Sequence, residues 1–250
     1  MASDRSSSHS KRQLDTRGAQ VVFHTMVDLE KWQVTGFEAL TRFTNGSTPL
    51  EQLAIAEANG TREQLEIDLI ALAGDTAKAA LPPDFFLTVN ASGSTILHPE
   101  IESALTSMDR PWGLELFEGE TCADTSTIRR RVCDLGGLFL IDDAGAYAAN
   151  ESRIREARPS VVKIDRELFC AALSDPAARR RLDKLITATR DVNARLLVEG
   201  VANDALLNFA QELGADLAQG FCFGKPAPAA TLTDSLKELC NRTGIVTPGF

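Results

Sequence analysis

No stretch of this 250-residue sequence approaches the roughly 18 consecutive apolar residues that a membrane-spanning helix requires, so no membrane partner is expected. The start, MASDRSSSHSKRQLDTRG, lacks the apolar centre of a secretion signal. It reads as a disordered lead-in over residues 1–18, ahead of one domain over 19–245, in a cytoplasmic chain. Histidines number only three, His9, His24 and His98, too scattered for a His-rich zinc site. The five cysteines, Cys122, Cys133, Cys170, Cys222 and Cys240, never form a CxxC pair, which points to reduced, partly buried thiols. Neither GxGxxG nor GxxxxGK(S/T) follows the first expected strand, so dinucleotide and P-loop binding have no support. Basic residues are outnumbered, 26 Lys and Arg against 35 Asp and Glu, giving a formal charge of −9 and a pI near 4.9. Such a surface repels polyphosphate and disfavours a duplex nucleic acid partner. A small phosphate ester is still admissible if cations offset the local negative charge.

What is present is an ordinary globular balance, 44% hydrophobic and 24% charged, at a length that one α/β barrel commonly fills. Apolar, β-branched runs predict strands over 20–26, 33–40, 85–90, 112–116, 138–142, 161–165, 195–199 and a short one over 216–221. Helical periodicity fills the gaps at 62–81, 124–135, 175–192 and 203–213, with Asp175 as cap and Pro176 in the first turn of the third. The first two strands lie as close as a hairpin, and helix-length spacers separate the later ones. This alternation predicts either a closed barrel or an open doubly wound sheet.

The informative feature is where acids fall. Glu38, Asn90, Glu115, Asp142 with Asp143, Asp165 and Glu199 each stand near the C-terminal end of an expected strand, the end that carries the active site of a parallel barrel. Strand alternation puts Val161, Lys163 and Asp165 on one face, and points Leu114, Leu116 and Val198 away from the acids beside them. One acid at a strand end is ordinarily a solvated turn residue or a cap. Six strands ending this way around one lysine instead predict carboxylates converging on a single mouth, where their mutual repulsion calls for hard divalent cations such as Mg²⁺ or Mn²⁺. A pair of such ions suits in-line attack of water on phosphorus, and Arg42, just beyond the second strand, could contact a phosphate oxygen. A surface arginine paired with a nearby acid is an equal reading of Arg42.

These residues resemble the EAL domain family of cyclic di-GMP phosphodiesterases. Glu38-Ala39-Leu40-Thr41-Arg42 is similar to the family's EALxR signature, VNAS (89–92) to VNxS, Glu115-Leu116-Phe117-Glu118 to ELTE and Asp142-Asp143-Ala144-Gly145 to the DDFG start. Lys163-Ile164-Asp165-Arg166 matches KIDR, Glu199-Gly200-Val201 opens like EGVET, and Gln219-Gly220-Phe221 with Lys225-Pro226 resembles QGYxFxKP. The resemblance, running from about residue 20 to about 228, implies a TIM-like (β/α)8 barrel with one antiparallel strand. It also implies a two-metal Mg²⁺ or Mn²⁺ site that hydrolyses cyclic di-GMP to linear pGpG. Glu38, Asn90, Glu115 and Asp142 would hold one ion. Asp142 would bridge to a second ion that Asp143 helps hold, and Asp165 and Glu199 would bind metal or its waters. Lys163, with Glu38 and Glu199, would be catalytic, Lys163 orienting or deprotonating the water. Arg42 and Gln219 would face substrate, and Glu118 would brace the loop after the paired aspartates.

Departures from the pattern bear on the outcome. The family's QPI is His24-Thr25-Met26, DDFGTGYSS is the shorter DDAGAYAAN, EGVET is EGVAN with Ala202 in place of an acid, and the segment after Arg42 is short. An impaired domain that acts as a cyclic di-GMP receptor or docks a protein is therefore the alternative, and a barrel hydrolase for another phosphodiester is a weaker third. A homodimer and a separate sensor or regulatory protein stay open as partners.

Overall fold

The computed structural model describes residues 18–117, 124–146 and 151–249. Strands β1 (Ala19–Asp28) and β2 (Gln33–Phe43) are joined through residues 29–32 alone. Asp28 Oδ1 closes that turn by accepting the Glu30 and Lys31 amides at 3.2 and 2.9 Å. So short a link permits only antiparallel pairing. The two strands run from Ala19 opposite Phe43 to Asp28 opposite Gln33, with an irregularity between Met26 and Val27.

Every later barrel strand is reached by a helical crossover and is therefore parallel to its predecessor. Helices α1 (Pro49–Ala58) and α2 (Arg62–Ala80) lead to β3 (Phe86–Asn90), and α3 (Gly93–Leu97) with α4 (Ile101–Thr106) to β4 (Trp112–Phe117). Next come α5 (Thr125–Asp134) and β5 (Leu138–Ala144), α6 (Glu151–Ala157) and β6 (Val161–Ile164), then α7 (Arg166–Ala172), α8 (Pro176–Asp191) and β7 (Arg195–Val198). Helix α9 (Asp204–Glu212), β8 (Leu217–Gln219), the two-residue β9 (Ala227–Pro228) and α10 (Ala229–Thr243) complete the order. The sheet runs β2-β3-β4-β5-β6-β7-β8-β1, and β1 returns to β2. This is the expected closed eight-stranded barrel with one antiparallel strand; β9 is an addition, pairing with Val22 and Phe23 of β1.

Strand parity divides the core in two. Leu114, Leu116, Phe139, Ile141, Val162, Ile164, Leu196 and Val198 face outward into the large apolar cluster under the helices. Met26, Leu140, Val161, Leu197 and Leu217, with Phe86 against them, form a separate cluster inside the barrel. Two glycines make room there. A Cβ on Gly113 would stand 2.5 Å from Leu140 Cδ1 and 2.7 Å from the Phe86 ring, and one on Gly36 2.3 Å from the Phe86 carbonyl oxygen. Each fully buried apolar side chain contributes about 1.5–3 kcal/mol. The plug therefore resists the electrostatic cost of the polar layer that stands on it.

Helix starts follow the sequence. Asp175 accepts the Ala177 amide with Pro176 in the first turn, as expected, and Thr48 and Glu51 form a reciprocal capping box on α1. Four expected strands are shorter in the structure: β3 begins one residue later, at Phe86, and β7 ends one residue earlier, at Val198. Asp165 leaves β6 to cap α7, and residues 216–221 divide into β8 and a 3-10 turn over Phe221–Phe223. Cys133, Cys170, Cys222 and Cys240 are free thiols, and Cys122 lies outside the described residues. Among the described residues no helix is long and apolar enough to cross a membrane.

Candidate active site

Two residues beyond the apolar plug, the same strand faces turn polar. Leu140 is followed by Asp142, Val161 by Lys163, Leu197 by Glu199 and Leu217 by Gln219, while Glu38 sits opposite Thr88 on β3 and opposite His24 on β1. Carboxylates thus enter from β2, β4, β5 and the end of β7, and Lys163 rises among them from β6. Its Nζ lies 2.6 Å from Glu115 Oε2, 2.8 Å from Asp142 Oδ1, 2.9 Å from Glu199 Oε1 and 3.5 Å from Glu38 Oε1. Lys163 and Glu115 are fully buried, Glu38 nearly so, and Glu199 is open to the mouth.

Two carboxylate groupings result, Glu38 with Glu115 and Asp142, and Asp142 with Asp143 and Glu199. In each, one oxygen from every residue lies within 4.8 Å of the others, and Asp142 belongs to both. One ammonium cannot balance five such carboxylates. Burial raises the Glu115 pKa well above its ordinary 4.5, with repulsion from Glu38 and Asp142 adding to it. Burial likewise takes Glu199 up to about 8 and Asp143 up to about 6, the latter with help from Asp142. Glu38 shifts the other way. Burial pushes it up, but Lys163 and hydrogen bonds from Gln219 and Asn90 outweigh that and hold it low. Lys163 is kept protonated, because Asp142, Glu115, Glu199 and Glu38 overcome the effect of burial. Asp143 holds a left-handed backbone, φ 53°, a conformation that costs about 1 kcal/mol.

Unpartnered atoms test whether cations fit. Seven buried side-chain polar atoms among the described residues have no hydrogen-bond partner in the protein. Five of them ring this mouth: His24 Nε2, Thr88 Oγ1, Glu115 Oε1, Asp142 Oδ1 and Gln219 Oε1. Asp142 Oδ1 is close to the Lys163 charge but outside hydrogen-bond geometry. Three of the five are oxygens that only accept once the carboxyls are ionised, so a hard cation would satisfy them where another donor is lacking. The five carboxylates against one ammonium leave four negative charges when ionised, the amount that two divalent ions cancel. The residues fit a pair of such ions.

The remaining expected residues lie nearby in different settings. Asn90 is exposed at the end of β3, its Nδ2 3.4 Å from Glu38 Oε1. Asp165 is half-buried and caps α7 through the Leu168 amide, yet stands close enough to Asp143 to raise that carboxyl. Gln219 is buried, donating to Glu38 Oε2 at 2.9 Å and, at 3.5 Å, to the His24 carbonyl. Arg42 is exposed at the rim and donates to the Thr41 carbonyl. Glu118 lies outside the described residues, as do positions 147–150. His24, where the family pattern has a glutamine, stands opposite Glu38. Burial lowers its pKa to about 4, which leaves it a neutral imidazole at the mouth.

The raised carboxyls carry a pH prediction. A folded-state pKa of about 8 for Glu199 against an ordinary 4.5 means the folded protein holds a proton that the unfolded chain has released. Stability of the protein alone therefore falls as pH rises across that window. Glu38, shifted the opposite way, has delivered its contribution by pH 4.5 and does not mask the trend. In EDTA, Tm is expected to decline from about pH 5 to about pH 8, and saturating Mn²⁺ is expected to remove the decline, since ligation needs the ionised form. A slope that Mn²⁺ leaves unchanged would remove these carboxyls as its source.

A parallel-stranded barrel with one antiparallel strand, whose carboxyl mouth gathers acids and one lysine suited to divalent cations, is the class that fold and site define. The chain belongs to the EAL domain family, whose model matches residues 9–226. It is 32% identical over 168 residues to the cyclic di-GMP phosphodiesterase PdeH of Escherichia coli, covering 62% of this chain and 64% of that one. Among solved structures, the PaMucR phosphodiesterase in complex with c-di-GMP matches at 25% identity and a TM-score of 0.75, over 86% of this chain and all of that one. The manganese and c-di-GMP complex of Klebsiella pneumoniae BlrP1 matches in fold at 24% identity and a TM-score of 0.76, over 86% of this chain and 58% of that one. The chain spans less than two thirds of the length of its curated relatives, 28% of one from Sinorhizobium fredii and 64% of PdeH.

Proposed function

We propose that this chain is a cytoplasmic, metal-dependent phosphodiesterase that hydrolyses cyclic di-GMP to linear pGpG and so ends a second-messenger signal. The observation that carries this reading is the mouth itself: buried carboxylates from separate strands around one lysine, with accepting oxygens left unpartnered. The relatives' names supply the substrate class.

In this reading Glu38, Asn90, Glu115 and Asp142 hold one Mg²⁺ or Mn²⁺. Asp142 with Asp143 holds the second, and Glu199 and Asp165 support the pair or its waters. When bound, the ions would supply an activated water and charge for in-line attack at phosphorus. The chain's own part is positioning. Lys163, held as an ammonium by four acids, is a donor suited to orienting the water rather than taking its proton. Gln219 fixes the Glu38 carboxylate, and Arg42 at the rim meets a phosphate oxygen. Glu118 is assigned the bracing of the loop after Asp143. A homodimer and a separate sensor protein are the partners this domain would take.

Purified protein incubated with cyclic di-GMP and Mg²⁺ or Mn²⁺, then assayed for pGpG by chromatography, tests the reading. Product supports it. Binding without product would favour the receptor reading, whose support is His24, Ala202 and the altered loop at 144–150, and absence of both binding and product would point to a protein-docking module.

His24 also predicts affinity. Its Nε2 is buried without a partner where relatives of the QPI pattern carry an amide. His24→Gln is expected to tighten cyclic di-GMP binding about fivefold, the value of one net hydrogen bond of about 1 kcal/mol. Calorimetry on both proteins checks this, and an unchanged affinity would count against the explanation.

A further inference from the structure

Outside the mouth, the buried carboxylate of Glu66 has both oxygens engaged and no role in the reading above. Glu66, on α2, is 5% exposed. Its Oε2 accepts the Ser92 amide at 2.8 Å and the Ser92 hydroxyl at 2.7 Å, while its Oε1 accepts Arg62 Nε at 3.0 Å. Burying a carboxylate in a barrel wall is costly, and an apolar residue could fill the same space without that cost. Two of its three bonds go to one place, the turn directly after Asn90, and the third stays within α2, to Arg62.

That turn sets where Asn90 goes. Ala91 and Ser92 are buried, and the Ala91 amide donates to the Glu115 carbonyl at 3.1 Å, tying the turn to β4 on one side. Glu66 ties it to α2 on the other, and Ser92 then caps α3. Asn90 itself is exposed, and its one side-chain hydrogen bond, to Glu38, is long at 3.4 Å. Its own contacts therefore fix the Asn90 side chain weakly, and the backbone on either side must do so.

We propose that Glu66 is a positioning residue for the cation site: it clamps the Ala91–Ser92 turn so that the Asn90 amide oxygen is held ready for a divalent ion. This rests on the assignment of Asn90 as a cation ligand. Outer groups that orient ligands typically change metal affinity by roughly 10–100-fold when removed, and Glu66 acts at the near end of that range because it works through the backbone.

The experiment is Mn²⁺ calorimetry on the full chain, without substrate. Glu66→Ala is expected to weaken Mn²⁺ binding roughly tenfold, whereas Glu66→Gln, which retains an acceptor for Ser92, stays near the wild type. In an Asn90→Ala background the Glu66→Ala loss is expected to vanish, because the effect travels through Asn90. Asp28→Asn, a buried carboxylate at the opposite barrel end bonded to Arg195, serves as comparison. It should lower Tm and leave Mn²⁺ affinity unchanged, separating positioning from general destabilisation. If Glu66→Ala does not fold, Ser92→Ala carries the same test with a several-fold loss expected. Wild-type Mn²⁺ affinity in these variants, or a full loss persisting without Asn90, overturns the proposal while the site reading stands. A wild type that binds no Mn²⁺ overturns both.

Discussion

Glu38→Ala is expected to reduce cyclic di-GMP hydrolysis by at least about 10²–10³, the range found when one preorganised charge-stabilising group is removed. Glu38 is where the site's separate supports meet. One oxygen accepts Gln219 at 2.9 Å and the other Asn90 at 3.4 Å, and Lys163 stands 3.5 Å away. It also completes the more buried carboxylate grouping with Glu115 and Asp142. Truncation would remove a cation ligand and leave the buried Gln219 amide with only a 3.5 Å contact to the His24 carbonyl. The fold should survive, because Lys163 keeps three acids and the apolar plug beneath is untouched. Chromatography for pGpG measures the loss, and circular dichroism confirms the fold. Wild-type turnover with Mg²⁺ in this variant would show that the chemistry lies elsewhere.

The acids at the strand ends were readable in the sequence because strand alternation is local and has a period of two. Once Leu140, Val161 and Leu197 face inward, Asp142, Lys163 and Glu199 must follow. The hairpin was readable for a similar reason, since residues 29–32 are too few for a crossover. Alternation runs on in VVKID and predicts Asp165 inside the strand. The structure ends β6 at Ile164, where capping α7 gives the Asp165 carboxylate the Leu168 amide. What could not be read joins residues distant in sequence: Gln219 to Glu38, 181 positions apart, and Ser92 to Glu66, 26 apart. No periodicity signals such pairs. Gly36 and Gly113 were equally silent, since their use depends on the Phe86 side of the barrel interior. Glu118 falls outside the described residues, so its bracing role rests on resemblance alone.

Lys163→Ala separates two duties that the structure combines in one side chain. The ammonium balances Glu38, Glu115, Asp142 and Glu199, all of them buried or facing the mouth. Removing one partner of a buried ionic group costs about 3–5 kcal/mol. For a chain of this size each kcal/mol shifts Tm by about 2–4 °C, so Tm without added metal is expected to fall by roughly 6–20 °C. Protons taken up by Glu115 and Glu199, already raised by burial, will offset part of that loss and make it smaller at low pH. Mn²⁺ supplies positive charge to the same oxygens, so saturating Mn²⁺ is expected to close most of the Tm gap between variant and wild type. It cannot supply a donor at the Nζ position. Turnover should therefore stay depressed, by about 10²–10³ for the loss of one preorganised donor at the water, while affinity for cyclic di-GMP is largely kept. Restored stability with lost turnover is the signature of a lysine that balances charge and also orients the reacting water. A Tm gap that Mn²⁺ does not narrow would deny the first duty, and normal turnover with weakened affinity would deny the second.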